Sequence, residues 1–386
     1  MVKPFRISIP QQEVDDLFLR LKQARWPSIF CEEPWALGTD HSFMKRLIDY
    51  WGSEYNWREQ ENWLNSFPQF IENVDGMNIH FVHVRGEGVS SQPLLITHGW
   101  PGSFMEMLKM VPYLTTPSLF GGNAKDAFDV IIPSIPGFAF SDKPTRPGVG
   151  SRHVAGLWAK LMERLGYERF FVQGGDIGAG ISTWLSLMHP NRVMGLHLNF
   201  IPGSYKPPLS QETPPIRDEE QNFLNKVTDW MEREGAYGAV HKTKPETIAF
   251  ALSDSPIGLA SWIVEKFQAW SDCNGNIEAS FSLDELLTNI SIYWFTNTIA
   301  SSIRIYAEGP KVPLSFSKEQ QVIVKTGISI FPKELPMPPR SWVERGYNVT
   351  YWEHVNKGGH FAAMENPKLF AEQLHLFFHS VNAPSV

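Results

Sequence analysis

Phe170-Phe171-Val172-Gln173-Gly174-Gly175-Asp176-Ile177-Gly178 is the stretch that decides the fold of this chain. It leads from an apolar strand pattern into a Gly-x-Asp-x-Gly turn. The apolar residues that follow recur at helical spacing: Ile181, Trp184, Leu185 and Met188. A strand, a tight glycine turn and a helix, in that order, form the context of a nucleophile elbow. The sequence therefore predicts that Asp176 is presented at a sharp turn, where most such elbows carry serine.

Aspartate at this point changes the chemistry that can follow. A carboxylic acid with an ordinary pKa of about 4 is already ionised at neutral pH, so it needs no base before it attacks. In a dry pocket it can displace a strained leaving group from an alkyl carbon and form an ester, whose hydrolysis then requires a base and an oxyanion hole. The alternative is that Asp176 caps the following helix, because helix N-termini favour side-chain oxygens and negative charge. The motif alone leaves both interpretations open.

Composition limits the class of protein. The chain has 386 residues, of which 42% are hydrophobic and 19% charged, and this predicts a globular protein with one elaborated catalytic domain or two to three parts. The net charge of -7 and the lack of a long basic run argue against nucleic acid as a partner. Cys31 and Cys273 imply no disulfide framework. No signal-like N-terminus or long apolar run is present, so we expect a cytoplasmic protein with no integral membrane segment.

Four parts are predicted along the chain. Apolar residues at helical spacing dominate residues 1–75, which we interpret as an N-terminal helical arm. Strand and helix patterns alternate over residues 76–215, and this implies an α/β core with a mostly parallel sheet flanked by helices. Residues 216–312 have helical patterns without a convincing strand and are predicted to form an inserted cap. Strand character returns in residues 313–386, the second part of the core.

Two local signals mark connections between these parts. Asp75-Gly76 stands between two strand-like stretches and predicts a β-hairpin over residues 70–84. The proline-rich stretch from Pro202 to Pro215 is interpreted as a linker that leads into the cap.

Two loops carry groups that could support Asp176. His98-Gly99-Trp100-Pro101 directly follows an apolar strand, and we assign the oxyanion hole to the backbone N–H groups of Trp100 and Ile177. His98 itself is interpreted as a structural residue. His360 lies on a glycine-rich loop after the last strand, where a histidine can reach the edge of the sheet that carries an elbow, and it is the predicted base.

An acid should orient the predicted base. Glu334 follows a strand pattern and precedes His360 in the chain, as the order nucleophile, acid, histidine requires. The alternative is a solvated loop glutamate beside Lys333, and the pattern fits that nearly as well.

Taken together, the strings Gly174-Gly175-Asp176, His98-Gly99-Trp100-Pro101 and Gly358-Gly359-His360-Phe361-Ala362-Ala363 resemble the microsomal-type epoxide hydrolases of the α/β-hydrolase superfamily. The resemblance covers nearly the whole chain and includes the stretches 251–260 and 281–289. It differs in two respects. We expect no counterpart of the membrane anchor that precedes the arm in the microsomal members, and the residue after the nucleophile, often tryptophan in the family, is Ile177.

The resemblance implies an α/β-hydrolase fold and an enzyme that converts lipophilic epoxides to vicinal diols with water as co-substrate. It implies no cofactor and no metal, and it leaves homodimer formation open. It further implies that Tyr237 and Tyr306 match the two cap tyrosines of the family, and it places the acid at Glu334. A phenol with a pKa near 10 can donate a hydrogen bond to the alkoxide that ring opening creates. Without the resemblance, aromatic packing with a polar tip would be the ordinary interpretation of both tyrosines.

Two other functions are compatible with an aspartate elbow. A haloalkane dehalogenase would need halide-binding tryptophan or asparagine donors in place of the tyrosine pair, and Trp100 alone does not exclude it. A non-catalytic ligand carrier could use the same fold. The carrier interpretation is disfavoured because the predicted nucleophile, base, acid and oxyanion loop are all retained.

Overall fold

The computed structural model describes residues 2–28, 30, 33–88, 91–203, 205–207, 216–316 and 320–382. Cys31 and residues 208–215 of the predicted linker lie outside the described residues.

The strands of the described residues form one nine-stranded sheet in the order β1-β2-β3-β5-β4-β6-β7-β8-β9. The strands are β1 (Lys3–Phe5), β2 (Gln69–Val74), β3 (Met77–Val84), β4 (Gln92–Thr97), β5 (Phe128–Pro133), β6 (Phe170–Gly174), β7 (Val193–Leu198), β8 (Val322–Ile330) and β9 (Tyr347–His354). The pairs β1–β2, β2–β3 and β3–β5 are antiparallel, and every pair from β5 to β9 is parallel. This is the mostly parallel sheet that the alternating pattern predicts.

The helices of the described residues occur in four groups. Those of the arm are α1 (Gln11–Lys22), α2 (His41–Ser53) and α3 (Trp57–Leu64). Those of the first core part are α4 (Val111–Thr115), α5 (Ser151–Arg164) and α6 (Asp176–Met188). Between β7 and β8 lie α7 (Asp218–Glu234), α8 (Ala236–Thr243), α9 (Pro245–Asp254), α10 (Pro256–Trp270), α11 (Leu283–Thr296), α12 (Ile299–Ile303) and α13 (Ile305–Glu308). After β8 come α14 (Arg340–Val343), α15 (Ala362–Glu365) and α16 (Pro367–Asn382). Short 3-10 helices span Phe104–Met110, Pro117–Phe120, Ala124–Asp126, Ile277–Ala279 and Gly309–Lys311.

The arm is helical as its apolar spacing predicts, but it also contributes to the sheet. The side chain of Asp40 caps α2 by accepting from Phe43 N at 2.7 Å. Strand β1 was not predicted, because three residues are too few to show a period. It pairs with β2 and so covers an edge of the hairpin whose peptide groups would otherwise be unpaired. The hairpin over β2 and β3 is confirmed, and it joins the core through β5.

The helices between β7 and β8 agree with the helical pattern predicted for residues 216–312. Helix α11 begins with a capping box in which Ser282 Oγ accepts from Glu285 N and Glu285 Oε2 accepts from Ser282 N. The arm packs against this region through contacts of α1 with α10 and of α2 and α3 with α11. The arm and these helices therefore cover one another.

Among the described residues, no single helix combines the length and apolarity that a membrane span needs. The helices Pro245–Asp254 and Pro256–Trp270 have sufficient length and apolar composition only when taken together, and they meet at a bend of 116°.

Candidate active site

The elbow lies where β6 ends and α6 begins. Asp176 has φ of 46°, the left-handed region that a non-glycine residue adopts only under strain. The turn packs closely on the end of β4, since a Cβ placed on Gly178 would lie 2.0 Å from the carbonyl oxygen of Thr97. Only glycine fits at that position. The second glycine of the motif therefore reflects a close approach between the first turn of α6 and the end of β4.

The carboxylate of Asp176 faces the loop that follows β4 and not its own helix. Its Oδ1 accepts a hydrogen bond of 2.8 Å from the backbone N–H of Trp100. Gly99 passes so close that a Cβ there would lie 2.1 Å from the same oxygen. No side-chain capping bond is made at the start of α6, so the capping alternative for Asp176 is not what the structure adopts. Ile177 stands in the first turn of α6, where backbone N–H groups lack partners within the helix.

His98 fixes the start of this loop. Both ring nitrogens are used: Nδ1 lies 3.2 Å from the carbonyl oxygen of Gly99, and Nε2 accepts from Ile135 N at 3.2 Å. An imidazole that accepts at Nε2 and donates at Nδ1 is neutral. Burial lowers the pKa of His98 to about 4, which agrees with that state. The structural interpretation of His98 is therefore supported by its geometry.

The loop is also held from the helical region by two residues that the sequence analysis missed. Asn289 Nδ2 donates to the carbonyl oxygen of Pro101 at 2.8 Å, and the Tyr293 hydroxyl donates to that of Gly102 at 2.6 Å. Both residues are buried and stand four positions apart, on one face of α11. Two residues with hydrogen-bonding side chains at that spacing within a helix are the signal that could have identified them.

His360 stands between two carboxylates. Its Nδ1 donates to Glu334 Oε1 at 2.5 Å, and its Nε2 lies 3.5 Å from Asp176 Oδ2. The side chain of Glu334 is 1% exposed, which excludes the alternative of a solvated loop glutamate. Three residues far apart in the sequence thus form one line of contacts that ends on the elbow.

The charge state of His360 follows from its neighbours. Burial by itself would lower the pKa of His360, but the carboxylates of Glu334 and Asp176 outweigh burial and raise that pKa well above its ordinary value. With Asp176 ionised, the imidazole therefore carries a proton. Loss of the charge on Asp176 would remove one of the two causes and lower the pKa of His360 again.

Besides Glu334, a glutamate that the sequence analysis missed, Glu365, holds the loop that carries His360. Glu365 Oε1 accepts from Gly359 N and Phe361 N, both at 3.1 Å, and so brackets the histidine. The backbone N–H of His360 donates to the carbonyl oxygen of Trp270 at 2.8 Å. The one signal of Glu365 in the sequence is its position five residues after His360.

Tyr237 and Tyr306 lie against the ring of Trp100, on the loop that follows β4. The ring of Tyr237, on α8, stacks on that of Trp100 with centroids 5.4 Å apart, and the ring of Tyr306, on α13, meets Trp100 edge-on at 6.1 Å. Burial raises the pKa of each tyrosine, and the charge of Asp176 raises both further. Both phenols therefore stay protonated at neutral pH. They are close enough to affect each other's ionisation, although the buried Tyr306 hydroxyl makes no hydrogen bond of regular geometry.

A small cavity adjoins the carboxylate and the imidazole. It has a volume of about 10 Å³, room for about one water molecule. Polar groups of Asp176, His360, Asn199 and Glu106 line it, together with Trp100 and apolar neighbours. Glu106 was not singled out from the sequence.

The arrangement suits a displacement in two steps. One carboxylate oxygen is held by a backbone donor, and the other lies beside an imidazole that a second carboxylate orients. These are the groups that form an ester at a carboxylate and then hydrolyse it. Each of the predicted residues, Asp176, His360, Glu334, Tyr237, Tyr306, Trp100 and Ile177, lies in or beside this one site.

Comparison with known proteins finds relatives that are named as epoxide hydrolases or share the α/β hydrolase fold. Residues 2–107 match the family described as the epoxide hydrolase N terminus, and residues 92–250 match that described as the α/β hydrolase fold. A Stigmatella aurantiaca (strain DW4/3-1) sequence with a provisional epoxide hydrolase name is 44% identical, over 99% of this chain and 86% of its own length. Epoxide hydrolase 1 of Sus scrofa is 37% identical, over 97% of this chain and 88% of its own length.

Solved structures agree with these relatives. The juvenile hormone epoxide hydrolase of the silkworm Bombyx mori superposes with a TM-score of 0.87 at 30% identity, over 99% of this chain and 95% of that one. The Aspergillus niger epoxide hydrolase superposes with a TM-score of 0.85 at 30% identity, over 99% of this chain and 97% of that one.

Proposed function

This chain belongs to the epoxide hydrolase family of the α/β-hydrolase fold, and from that premise we propose that it opens lipophilic epoxides to vicinal diols through a covalent ester on Asp176. The observation that carries the proposal is the continuous line of contacts from Trp100 N–H through Asp176 and His360 to Glu334. The aromatic rings above it, those of Trp100, Tyr237 and Tyr306, favour an apolar substrate.

In the first step the ring of the epoxide opens. The phenols of Tyr237 and Tyr306 donate hydrogen bonds to the epoxide oxygen, and Asp176 Oδ2 attacks a ring carbon from the opposite side. The new bond joins that oxygen to carbon, the carbon–oxygen bond of the ring breaks, and the alkoxide takes a proton from a phenol. Because both phenols stay protonated at neutral pH, this donor is available without a separate activation step.

In the second step water releases the diol. Esterification removes the negative charge of Asp176, so the pKa of His360 falls and the imidazole gives up its proton, which converts the phenolate left by ring opening back to a phenol. Neutral His360, oriented by Glu334, then takes a proton from water as the water oxygen attacks the carboxyl carbon of Asp176. The backbone N–H groups of Trp100 and Ile177 stabilise the resulting oxyanion. As this intermediate collapses, the bond between the carboxyl carbon and the diol oxygen breaks, and the departing oxygen takes a proton from His360. The carboxylic acid left on Asp176 then gives its proton to the imidazole, which restores the carboxylate and the protonated histidine.

The source of the added oxygen tests the proposal directly. With enzyme in excess over styrene oxide in heavy-oxygen water, the first diol should carry an unlabelled oxygen from Asp176, and the solvent label should appear in that side chain. Mass spectrometry of the diol and of the peptide that contains Asp176 measures both. Label in the first diol and none in the peptide would mean that water attacks the epoxide directly.

The two other functions considered from the sequence are not favoured. The matched relatives and superposed structures described above carry epoxide hydrolase names, not names of dehalogenases or carriers. We therefore expect diol from styrene oxide and no halide from a chloroalkane.

Removing the phenol groups tests the first step. We expect Tyr237→Phe and Tyr306→Phe each to slow ring opening by about 10- to 100-fold, and the double variant by about 10³-fold or more, because a positioned general acid contributes roughly 10²- to 10⁴-fold. Rapid-quench measurement of ester formation isolates this step. Tyr167→Phe removes a phenol that is hydrogen-bonded to Asp129 outside the site, and it serves as the control. Unchanged ester formation in the double variant would contradict the role of the tyrosines.

A further inference from the structure

We propose that Glu106 is a water-positioning residue that holds the hydrolytic water between His360 and the carboxyl carbon of Asp176. The inference deepens the proposed function and rests on it, since it concerns the step that hydrolyses the ester. Glu106 lies on the 3-10 helix Phe104–Met110, directly after the oxyanion loop.

The position of the carboxyl group is the first observation. Glu106 is only 8% exposed and lines the one-water cavity together with Asp176 and His360. Its Oε2 lies against the oxyanion loop, because a Cβ placed on Gly102 would stand 2.2 Å from that oxygen. A polar group on a cavity of this size, which the imidazole and the nucleophile also line, can reach a water molecule held there.

The second observation is that Glu106 does not do what its sequence spacing predicts. Ser103-x-x-Glu106 is the spacing of a capping box, and Ser103 does accept from Met105 N at 3.3 Å. The same spacing at Ser282-x-x-Glu285 forms the full reciprocal box in this chain. At the start of Phe104–Met110 the reciprocal bond from the glutamate is not made, and the carboxyl group faces the cavity instead. A buried polar group that makes no hydrogen bond to its local partner is expected to make one to another group or to water.

The protonation state fits the role. Burial raises the pKa of Glu106 to about 8; the neighbouring charge of His360 opposes this rise, whereas those of Asp176, Glu334 and Glu365 favour it. At neutral pH the group is therefore mostly a neutral carboxylic acid. Its carbonyl oxygen can accept a hydrogen bond without adding a further negative charge beside the nucleophile.

Two acceptors define the orientation of one water. One O–H of the water donates to Nε2 of neutral His360, and the other donates to the carbonyl oxygen of Glu106. The lone pair of the water oxygen is then directed at the carboxyl carbon of the ester. His360 takes the first proton as the new carbon–oxygen bond forms, and Glu106 neither gains nor loses a proton in the step.

The test separates the two steps in Glu106→Met, which keeps the length of the side chain but has no strong acceptor. We expect ester formation from styrene oxide to keep its rate and ester hydrolysis to slow by about 10- to 100-fold, because a loosely placed water reacts more slowly. The ester should then accumulate, and intact-protein mass spectrometry detects it. Glu106→Gln retains a neutral carbonyl acceptor and should recover most of the loss. If Glu106→Met does not fold, Glu106→Ala should show the same separation of the two rates.

Two controls make the outcomes distinct. His360→Gln must accumulate the ester if the proposed function holds, so the absence of an adduct there overturns the covalent scheme itself. Glu285→Met removes the glutamate of a true capping box and should lower the melting temperature without accumulating the ester. If His360→Gln traps the ester while Glu106→Met hydrolyses it at the wild-type rate, or slows both steps equally, the role of Glu106 is refuted and the proposed function stands.

Discussion

Asp176→Ala is expected to lower kcat for epoxide hydrolysis by about 10⁴-fold or more, which corresponds to about 5 kcal/mol of lost transition-state stabilisation. The physical reason is that both oxygens of Asp176 are held in position for the reaction. Asp176 Oδ1 is held at 2.8 Å from Trp100 N, and Oδ2 is the oxygen that faces His360. Alanine removes both oxygens and retains the Cβ that packs on Gly99, so the turn itself should persist.

Initial rates of diol formation measure this effect, and circular dichroism with a melting curve establishes that the variant is folded. Asp142→Ala is the matched control, because Asp142 also accepts a backbone hydrogen bond, from Asn78 N at 2.8 Å, but outside the site. We expect that control to keep its turnover. Activity of Asp176→Ala within about tenfold of the wild-type rate would refute a nucleophilic role for this aspartate.

His360→Gln is expected to separate the two steps completely. Ester formation should continue at a rate within about tenfold of wild type, whereas hydrolysis should slow by about 10³- to 10⁴-fold, because general base catalysis supplies an effect of that size. One equivalent of epoxide should therefore be consumed and remain bound to Asp176. Intact-protein mass spectrometry after mixing with styrene oxide gives the stoichiometry. A variant that turns over repeatedly, or that forms no adduct, contradicts the assignment of His360.

The pH dependence of the wild-type enzyme should follow from the same group. The two neighbouring carboxylates raise the pKa of His360 in the free enzyme, and esterification of Asp176 removes one of them. Hydrolysis requires the neutral imidazole, so its rate should fall as pH drops below the pKa of His360 in the ester. Rapid-quench rates of the two steps across pH should show this fall for hydrolysis only. Glu334→Gln should shift the midpoint to lower pH, since it removes the remaining carboxylate.

The sequence predicted local features well where a short period or spacing carries the information. The Gly-x-Asp-x-Gly turn, the hairpin at Asp75-Gly76 and the helices between β7 and β8 all appear as expected. Strand β1 was missed because its three residues carry no period, and its pairing with β2 depends on an edge that exists only in the folded sheet. Glu334 was identified only with an open alternative, because a loop glutamate has the same pattern whether it is solvated or buried.

The sequence by itself determined the elbow, the alternation of strands and helices, and the chain order of Asp176, Glu334 and His360, since each of these depends on residue type and spacing. Only the tertiary structure decided that Asp176 faces Trp100 and not its own helix. It also decided that Glu106 lines the cavity and makes no capping bond. It also decided that His360 meets two carboxylates at once. The reason is that local periodicity fixes which face a residue occupies, whereas the meeting of side chains distant in the chain depends on how the strands and loops pack together.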